Sequence, residues 1–196
     1  MFRDYHKVQR AVLETTLRLL IEKDLQATSM ALISKESGVS TGSIYYYFKS
    51  KEEVVNELFR AIVRFYNEAI YTDFNREGSI RERFWRFWEN VIRFNMEYPY
   101  PFQFLEQYSF SPYIDEAIRQ EANRESCGRL AALYTEATEQ KLFSAFEPRH
   151  MVLMHFGAIA HLEKAYLARQ EKLTDEAIQS AIQFCWNAVS LNKAVV

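Results

Sequence analysis

Glycine and proline are scarce in this 196-residue chain, 5 and 4 residues respectively, so few positions break a helix. Cysteine is confined to Cys127 and Cys185. Far apart and without a CxxC, they read as free thiols in a reducing compartment. His6, His150, His155 and His161 are the only histidines. His155 and His161 are six apart, so a helix points them in different directions, and no HxxxH, CxxC or carboxylate–histidine cluster has ligand spacing. A lone histidine on an apolar helix reads as a hydrogen-bonded core residue. Gly-rich phosphate loops and GxSxG are also missing. The expectation is therefore no metal, no cofactor, no catalytic residue and no enzyme activity. No run of about 18 apolar residues exists to span a membrane, and no apolar N-terminal stretch with a cleavage site suggests secretion. Membrane partners are not expected and a cytoplasmic location is. Internal repeats, low-complexity tracts and Pro-rich linkers are lacking too.

What is present fits a packed helical protein. Hydrophobic residues make up 48% of the chain, and no period-2 alternation bounded by turn residues is visible, so the fold class expected is all-α. The net charge of -2 is unevenly placed. Residues 1–51 hold 8 Lys/Arg against 5 Asp/Glu, and the remainder holds 16 against 21. A mildly basic first quarter suits an N-terminal contact with a polyanion.

The stretch from Gly38 to Glu53 organises the rest. A first helix over residues 5–23 carries Val8, Ala11, Val12, Thr15, Leu19 and Leu20 near a period of 3.6. Thr28-Ser29 offers an N-cap for a second helix from Met30 to Ser37, and Gly38 stands where a left-handed C-terminal residue is wanted. Ser40 caps a third helix of about two turns. Ile44 and Phe48, four apart, face inward, which leaves Thr41, Gly42, Ser43, Tyr45, Tyr46 and Tyr47 facing outward. Two short helices joined by a Gly-containing turn form a helix-turn-helix, whose second helix enters a DNA major groove. Tyrosines can pack a thymine methyl or a sugar and donate to phosphate. Small residues at 41–43 let the helix N-terminus approach the groove closely. The alternative is a surface helix with spare tyrosines. Ser50-Lys51-Glu52-Glu53 reads as a capping box, with Lys51 placed to meet a phosphate.

These residues carry a family resemblance. Thr28-Ser29-Met30, Ile33 and the run from Gly38-Val39-Ser40 through Gly42-Ser43-Ile44-Tyr45-Tyr46-Tyr47-Phe48-Lys49-Ser50-Lys51-Glu52 resemble the N-terminal domain of the tetracycline-repressor (TetR) family. The match is dense over about 35 residues. The helix count and length resemble the family's two-domain layout more loosely. The resemblance implies DNA contacts from Ser29, from Thr41, Gly42, Ser43, Tyr45, Tyr46 and Tyr47, and from Lys51 to a phosphate. Ala31 and Leu32 stand where relatives often carry basic and polar residues, so no contact is carried over there. Thr41 replaces a common Lys or Pro, so base preference is not inherited.

Beyond the reader, a helix from Lys51 to about Phe74 has Val55, Leu58, Phe59, Ile62, Tyr66, Ala69 and Ile70 on one stripe, long enough to transmit a shift. Gly78-Ser79-Ile80-Arg81-Glu82 supplies a stop and another capping box. Between Phe84 and Tyr113, 12 of 30 residues are aromatic. Tyr98-Pro99-Tyr100-Pro101 breaks the helix that starts near Ser79. A short helix over about residues 102–108 follows, and Ser111-Pro112 is expected to cap a helix running to 142. Aromatic walls with a few polar groups suit a small-molecule pocket. The lining candidates are Trp85, Trp88, Phe104 and Tyr108, with Glu89 or Glu106 orienting a cationic ligand. The same aromatics can instead fill a core. The last two helices are apolar nearly all round, and two copies packed as a four-helix bundle would cover them; the resemblance adds that the family dimerises this way.

The expected layout is a helix-turn-helix DNA-binding domain over residues 1–50 and a helical ligand-binding and dimerisation domain over 51–196. The expected partners are double-stranded DNA with a near-palindromic operator, an unknown small-molecule effector, and a second copy of the chain. The expected function is a dimeric repressor released by a small, largely apolar or aromatic ligand. Two alternatives stay open: a DNA-binding dimer without an inducer (or an activator), and an all-α carrier with a vestigial helix-turn-helix.

Overall fold

The computed structural model describes residues 1–74 and 77–191. Among these, nine α-helices follow in order: α1 Lys7–Lys23, α2 Met30–Ser37, α3 Thr41–Tyr47, α4 Lys51–Ile70, α5 Ile80–Glu97, α6 Pro99–Tyr108, α7 Glu116–Glu139, α8 Pro148–Ala168 and α9 Asp175–Val189. No named strand occurs among the described residues; a single isolated bridge pairs Phe143 with Ser190. The all-α expectation holds.

The chain divides into two compact units. The first contains Met1–Tyr66 and Tyr98–Ala122, the second Asn67–Glu97 and Asn123–Val196. Helices α4 and α7 each contribute residues to both.

Local chemistry sets the helix ends of the first unit. The Ser29 hydroxyl accepts from Leu32 N–H at 3.1 Å and starts α2, while Gly38 ends it at φ 68°, a left-handed conformation in which a side chain would be strained. Ser40 Oγ accepts from Ser43 N–H at 3.2 Å and starts α3. Ser50 Oγ accepts from Glu53 N–H at 3.2 Å, but the Glu53 carboxylate reaches back to Lys49 N–H at 2.6 Å, one residue before the usual partner in a capping box. The core of this unit joins Leu13, Leu20, Ile33, Ile44, Leu58 and Phe59. Burial of each such side chain contributes about 1.5–3 kcal/mol.

In the second unit the Ser79–Glu82 capping box is complete. Ser79 Oγ accepts from Glu82 N–H at 3.2 Å, and Glu82 Oε2 accepts from Ser79 N–H at 2.8 Å. Those donors hold the Glu82 carboxyl below its usual range. Phe84 and Phe87 on α5 are fully buried. Phe84 meets Trp186 of α9 edge-on at 5.2 Å, and Phe87 meets Phe156 of α8 at 6.2 Å.

Three boundaries differ from the sequence reading. Helix α4 stops at Ile70, where a turn leads to Asp73 in a left-handed conformation, φ 54°. The prolines 99 and 101 open α6 directly after α5, because proline is tolerated in a first turn where N–H groups lack helical partners anyway. Ser111 and Pro112 lie in a turn, with Ser111 Oγ accepting from Tyr113 N–H at 3.3 Å, and α7 begins only at Glu116.

Candidate nucleic-acid interface and effector region

Helix α3 is seven residues long and buries Ile44. Everything else on it is defined by what Ile44 and the following Phe48 leave outside. Tyr46 is 82% exposed and Tyr45 48%, with Tyr47 half-buried. Tyr46 touches the edge of the Tyr47 ring at 4.9 Å. Tyr47 in turn stacks on His6, with ring centres 5.7 Å apart and planes at 21°.

The small polar residues form a local net. Thr41 donates to Ser34 Oγ at 3.2 Å, and the Ser40 and Ser43 hydroxyls lie 2.8 Å apart. Gly42 is exposed, and a Cβ added to it would meet nothing within 4 Å. Its φ is ordinary, so neither the backbone nor the packing of this chain requires glycine there. In a helix, glycine instead of alanine costs about 0.5–1 kcal/mol. The space beside it is open to close approach from outside the chain.

Lys51 Nζ donates to the Leu25 carbonyl at 3.0 Å, which ties the start of α4 to the α1–α2 loop. An ammonium has three donors, so this bond leaves capacity for a phosphate. None of α1, α2 and α3 has an acidic residue in its first turn, whereas α4 carries Glu52 and Glu53 there, directly after Lys51. Helix N-termini without acids, as in α1, α2 and α3, suit a polyanion.

The six effector candidates fall in two places. Trp85, Trp88 and Glu89 belong to the second unit, and Phe104, Glu106 and Tyr108 to the first. Phe104 and Tyr108 are buried in the first unit's core and stack with centres 4.8 Å apart. Burial pushes the Tyr108 hydroxyl above its ordinary range. Glu106 is exposed. Trp88 is fully buried. Glu89 pairs with Arg93 at 2.8 Å, and Arg93 also reaches Asp175 of α9 at 2.8 Å. Trp85 lines an open groove of about 850 Å³ with Arg81, Gln179, Gln183, Phe184 and Asn187. The Arg81 guanidinium lies 4.7 Å over its ring, and Trp85 Nε1 donates to Gln179 at 2.9 Å.

The second unit also holds buried polar groups that no sequence spacing revealed. Trp88 Nε1 donates to the Tyr134 hydroxyl at 3.0 Å, and that hydroxyl lies 2.6 Å from His155 Nδ1. Desolvation pushes His155 down from 6.5 to about 4 and Tyr134 well above its usual range. His155 is thus the hydrogen-bonded core histidine expected of it. Asn95 donates to the fully buried Glu163 at 2.9 Å. The partners are 21 to 68 residues apart, so no local pattern could have paired them. No cluster of metal-binding side chains occurs among the described residues, and none of the described helices is long and apolar enough to cross a membrane.

Comparison with known proteins agrees with this geometry. Residues 12–58 match the model of bacterial regulatory proteins of the tetR family, and residues 59–191 match the tetracyclin repressor-like C-terminal domain. An uncharacterized HTH-type transcriptional regulator of Haemophilus influenzae is 24% identical over 178 residues, covering 91% of this chain and 93% of that protein. A TetR family transcription regulator from Marinobacter aquaeolei VT8 superposes with a TM-score of 0.84 at 25% identity, covering 93% of this chain and 95% of the other. A candidate tetR family transcription regulator from Shewanella sp. PV-4 gives a TM-score of 0.84 at 23% identity over 95% and 100% of the two chains, which speaks for the fold. With a two-turn helix presenting tyrosines and small hydroxyls, and family models covering both parts of the chain, this protein belongs to the tetR family and is a DNA-binding transcriptional regulator, not an enzyme.

Proposed function

We propose that the protein is a cytoplasmic, dimeric repressor that binds a near-palindromic operator and is released by a small, largely apolar or aromatic ligand. The observation that carries the DNA part is the outward face of α3, where Tyr46 stands 82% exposed over a buried Ile44. In this reading Tyr45, Tyr46 and Tyr47 meet bases and sugars, Gly42 and its neighbours Thr41 and Ser43 sit closest to the groove, and Ser29 and Lys51 meet phosphates.

The dimer is supported by what α8 and α9 leave uncovered. Leu153, Met154 and Phe184 are 53%, 64% and 68% exposed, and Gly157 and Ala158 beside them are exposed and small enough for close helix approach. A second copy would cover both helices as a four-helix bundle. Two readers a helical turn apart then require two half-sites.

Release follows from linkage. A ligand that prefers a conformer with mis-spaced readers weakens DNA binding by the same factor that DNA weakens ligand binding. The His155–Tyr134 pair buried among aromatics, with the Tyr134 hydroxyl accepting from Trp88, supports an effector site near Trp85, Trp88 and Glu89. For Phe104, Glu106 and Tyr108, support rests on their aromatic and acidic character. One observation favours a regulator without an inducer: Trp88 in the second unit, and Phe104 and Tyr108 in the first, are each buried.

The test has three arms. Gel shift on the protein's own promoter should show a specific complex at moderate salt; no binding even at low salt refutes the regulator. Sedimentation should give twice the chain mass; a monomer at micromolar concentration refutes the dimer. Thermal shift against aromatic and cationic compounds should find a stabiliser that also dissociates DNA. A stabiliser that leaves DNA bound refutes ligand release.

A further inference from the structure

The reader has few cations of its own. Beside α3 the sequence offers Lys49 and Lys51, and the structure commits part of Lys51 to the Leu25 carbonyl. The fold brings a second source of contacts to the same place. Residues 1–6 form a strap ahead of α1 that is fixed at several points. Phe2 is buried, and Arg10 holds the carbonyls of Phe2 and Arg3 at 3.1 and 3.2 Å. The Tyr5 hydroxyl donates to Glu57 of α4 and accepts from Arg64. The next residue, His6, lands on Tyr47 of α3, 41 positions away.

The hydrogen bonds of His6 fit one tautomer. Nδ1 accepts from Val8 N–H at 3.4 Å and shares its single lone pair with the Tyr47 hydroxyl 3.2 Å away, a geometry that fits a neutral ring unprotonated at that nitrogen. The ring proton is then on Nε2. His6 is exposed, so this N–H is an available donor beside the reading helix. Lys7, the first residue of α1, is exposed too. A cation at that position opposes the helix dipole by a few tenths of a kcal/mol. Asp4 is the only acid among the first ten residues.

We infer that this strap is a second DNA-contacting element: the His6 imidazole positions Tyr47, and His6 Nε2–H and the Lys7 ammonium bind the sugar–phosphate backbone flanking the bases that α3 reads. Its ligand is the phosphodiester backbone. The strap is continuous with the reader through the His6–Tyr47 stack, and because Phe2 and Tyr5 already hold it, little ordering remains to be done on binding. The inference rests on α3 facing the groove.

The test is fluorescence anisotropy with the full chain, a promoter duplex and a scrambled duplex of equal length, between 50 and 200 mM KCl. Lys7→Ala should lower the salt slope by about 1 per bound copy on both duplexes, so its deficit shrinks about 3.5-fold across that range. His6→Asn, which keeps a capping side chain, should weaken both duplexes about 3- to 10-fold. Tyr47→Phe and His6→Asn should be non-additive, the double variant losing less than the sum of the two, because each removes the same His6–Tyr47 hydrogen bond. A melting temperature unchanged in each variant separates these effects from folding. An unchanged slope for Lys7→Ala, or additive losses for His6→Asn and Tyr47→Phe, overturns the strap as a contact. Tyr46→Ala run alongside tells the two levels apart. If it weakens the promoter complex while the strap variants do not, only the strap fails. If it has no effect, the reading of α3 fails first.

Discussion

Replacing Gly42 by alanine should move two properties in opposite directions. In the free protein the added methyl meets nothing within 4 Å, and Gly42 sits inside α3 with an ordinary backbone. Alanine therefore removes glycine's entropic penalty, stabilising the fold by roughly 0.5–1 kcal/mol. For a chain of this size that raises Tm by about 1–4 °C. In the DNA complex the same methyl occupies the space through which the N-terminal turn of α3 approaches the groove. Forcing a methylene into a packed contact costs about 1–3 kcal/mol, a loss of roughly 5- to 150-fold in operator affinity. Both numbers come from one preparation, by urea unfolding and by anisotropy on the promoter duplex. Gly42→Leu should deepen the binding loss without lowering stability, since its side chain also starts into open space. The reasoning is refuted if Gly42→Ala is more stable and binds the operator unchanged, because then nothing approaches that face. It is equally refuted if the variant is destabilised, because then the chain itself needs the glycine.

Other perturbations probe the same account. Tyr46→Ala should cost roughly 1–3 kcal/mol of specific operator binding with little change in stability, since Tyr46 is mostly exposed and its described ring contact is with Tyr47; unchanged affinity on the operator would refute its role. Lys51→Ala should reduce the salt slope by about 1 on any duplex and, by releasing the Leu25 carbonyl, destabilise the fold by about 0.5–1.5 kcal/mol; weakening confined to the cognate site would show that it meets a base instead of a phosphate. His155 gives a pH signature. Its folded value of about 4 lies below the ordinary 6.5, so the unfolded chain binds the proton first. Stability is full above pH 6.5 and falls as pH drops toward 4, by about 3 kcal/mol in all. Urea midpoints of wild type and His155→Asn should converge toward acid pH; parallel curves would show that His155 is not the titrating group.

The first unit was the more legible part of the chain. Ile44 and Phe48 fix their faces by spacing alone, and Ser29, Gly38 and Ser40 mark helix ends through bonds made within four residues. Such interactions are written locally, so a one-dimensional reading captures them. Pro99 and Pro101 were read correctly as the end of one helix and missed as the start of the next, because proline's lost N–H counts only inside a helix. Ser111-Pro112 carried a start signal that the Ser111–Tyr113 turn uses instead. What could not be read was pairing at a distance: His6 on Tyr47, Trp88 with Tyr134 and His155, and Asn95 on Glu163. Each residue looks ordinary in its own window. The aromatic run from Phe84 to Tyr113 shows the same limit, since composition announced many rings but not that Trp88, Phe104 and Tyr108 would be packed away while Trp85 remained half outside.

The two-turn length of α3 has an evolutionary corollary. Ile44 and the neighbouring Phe48 hold the helix to its unit, Ser43 and Thr41 bond to the preceding serines, and Tyr47 leans on His6. Among the side chains of α3 that leaves Tyr45 and Tyr46 with the fewest internal obligations, while Lys51 is held by the Leu25 carbonyl. As an ancestral gene duplicates and its copies acquire new operators, substitutions should accumulate first at 45 and 46, where a new side chain changes what is read without disturbing what is folded. A Lys51 that meets a phosphate as proposed, and holds the Leu25 carbonyl as well, should persist while the target sequence drifts around it.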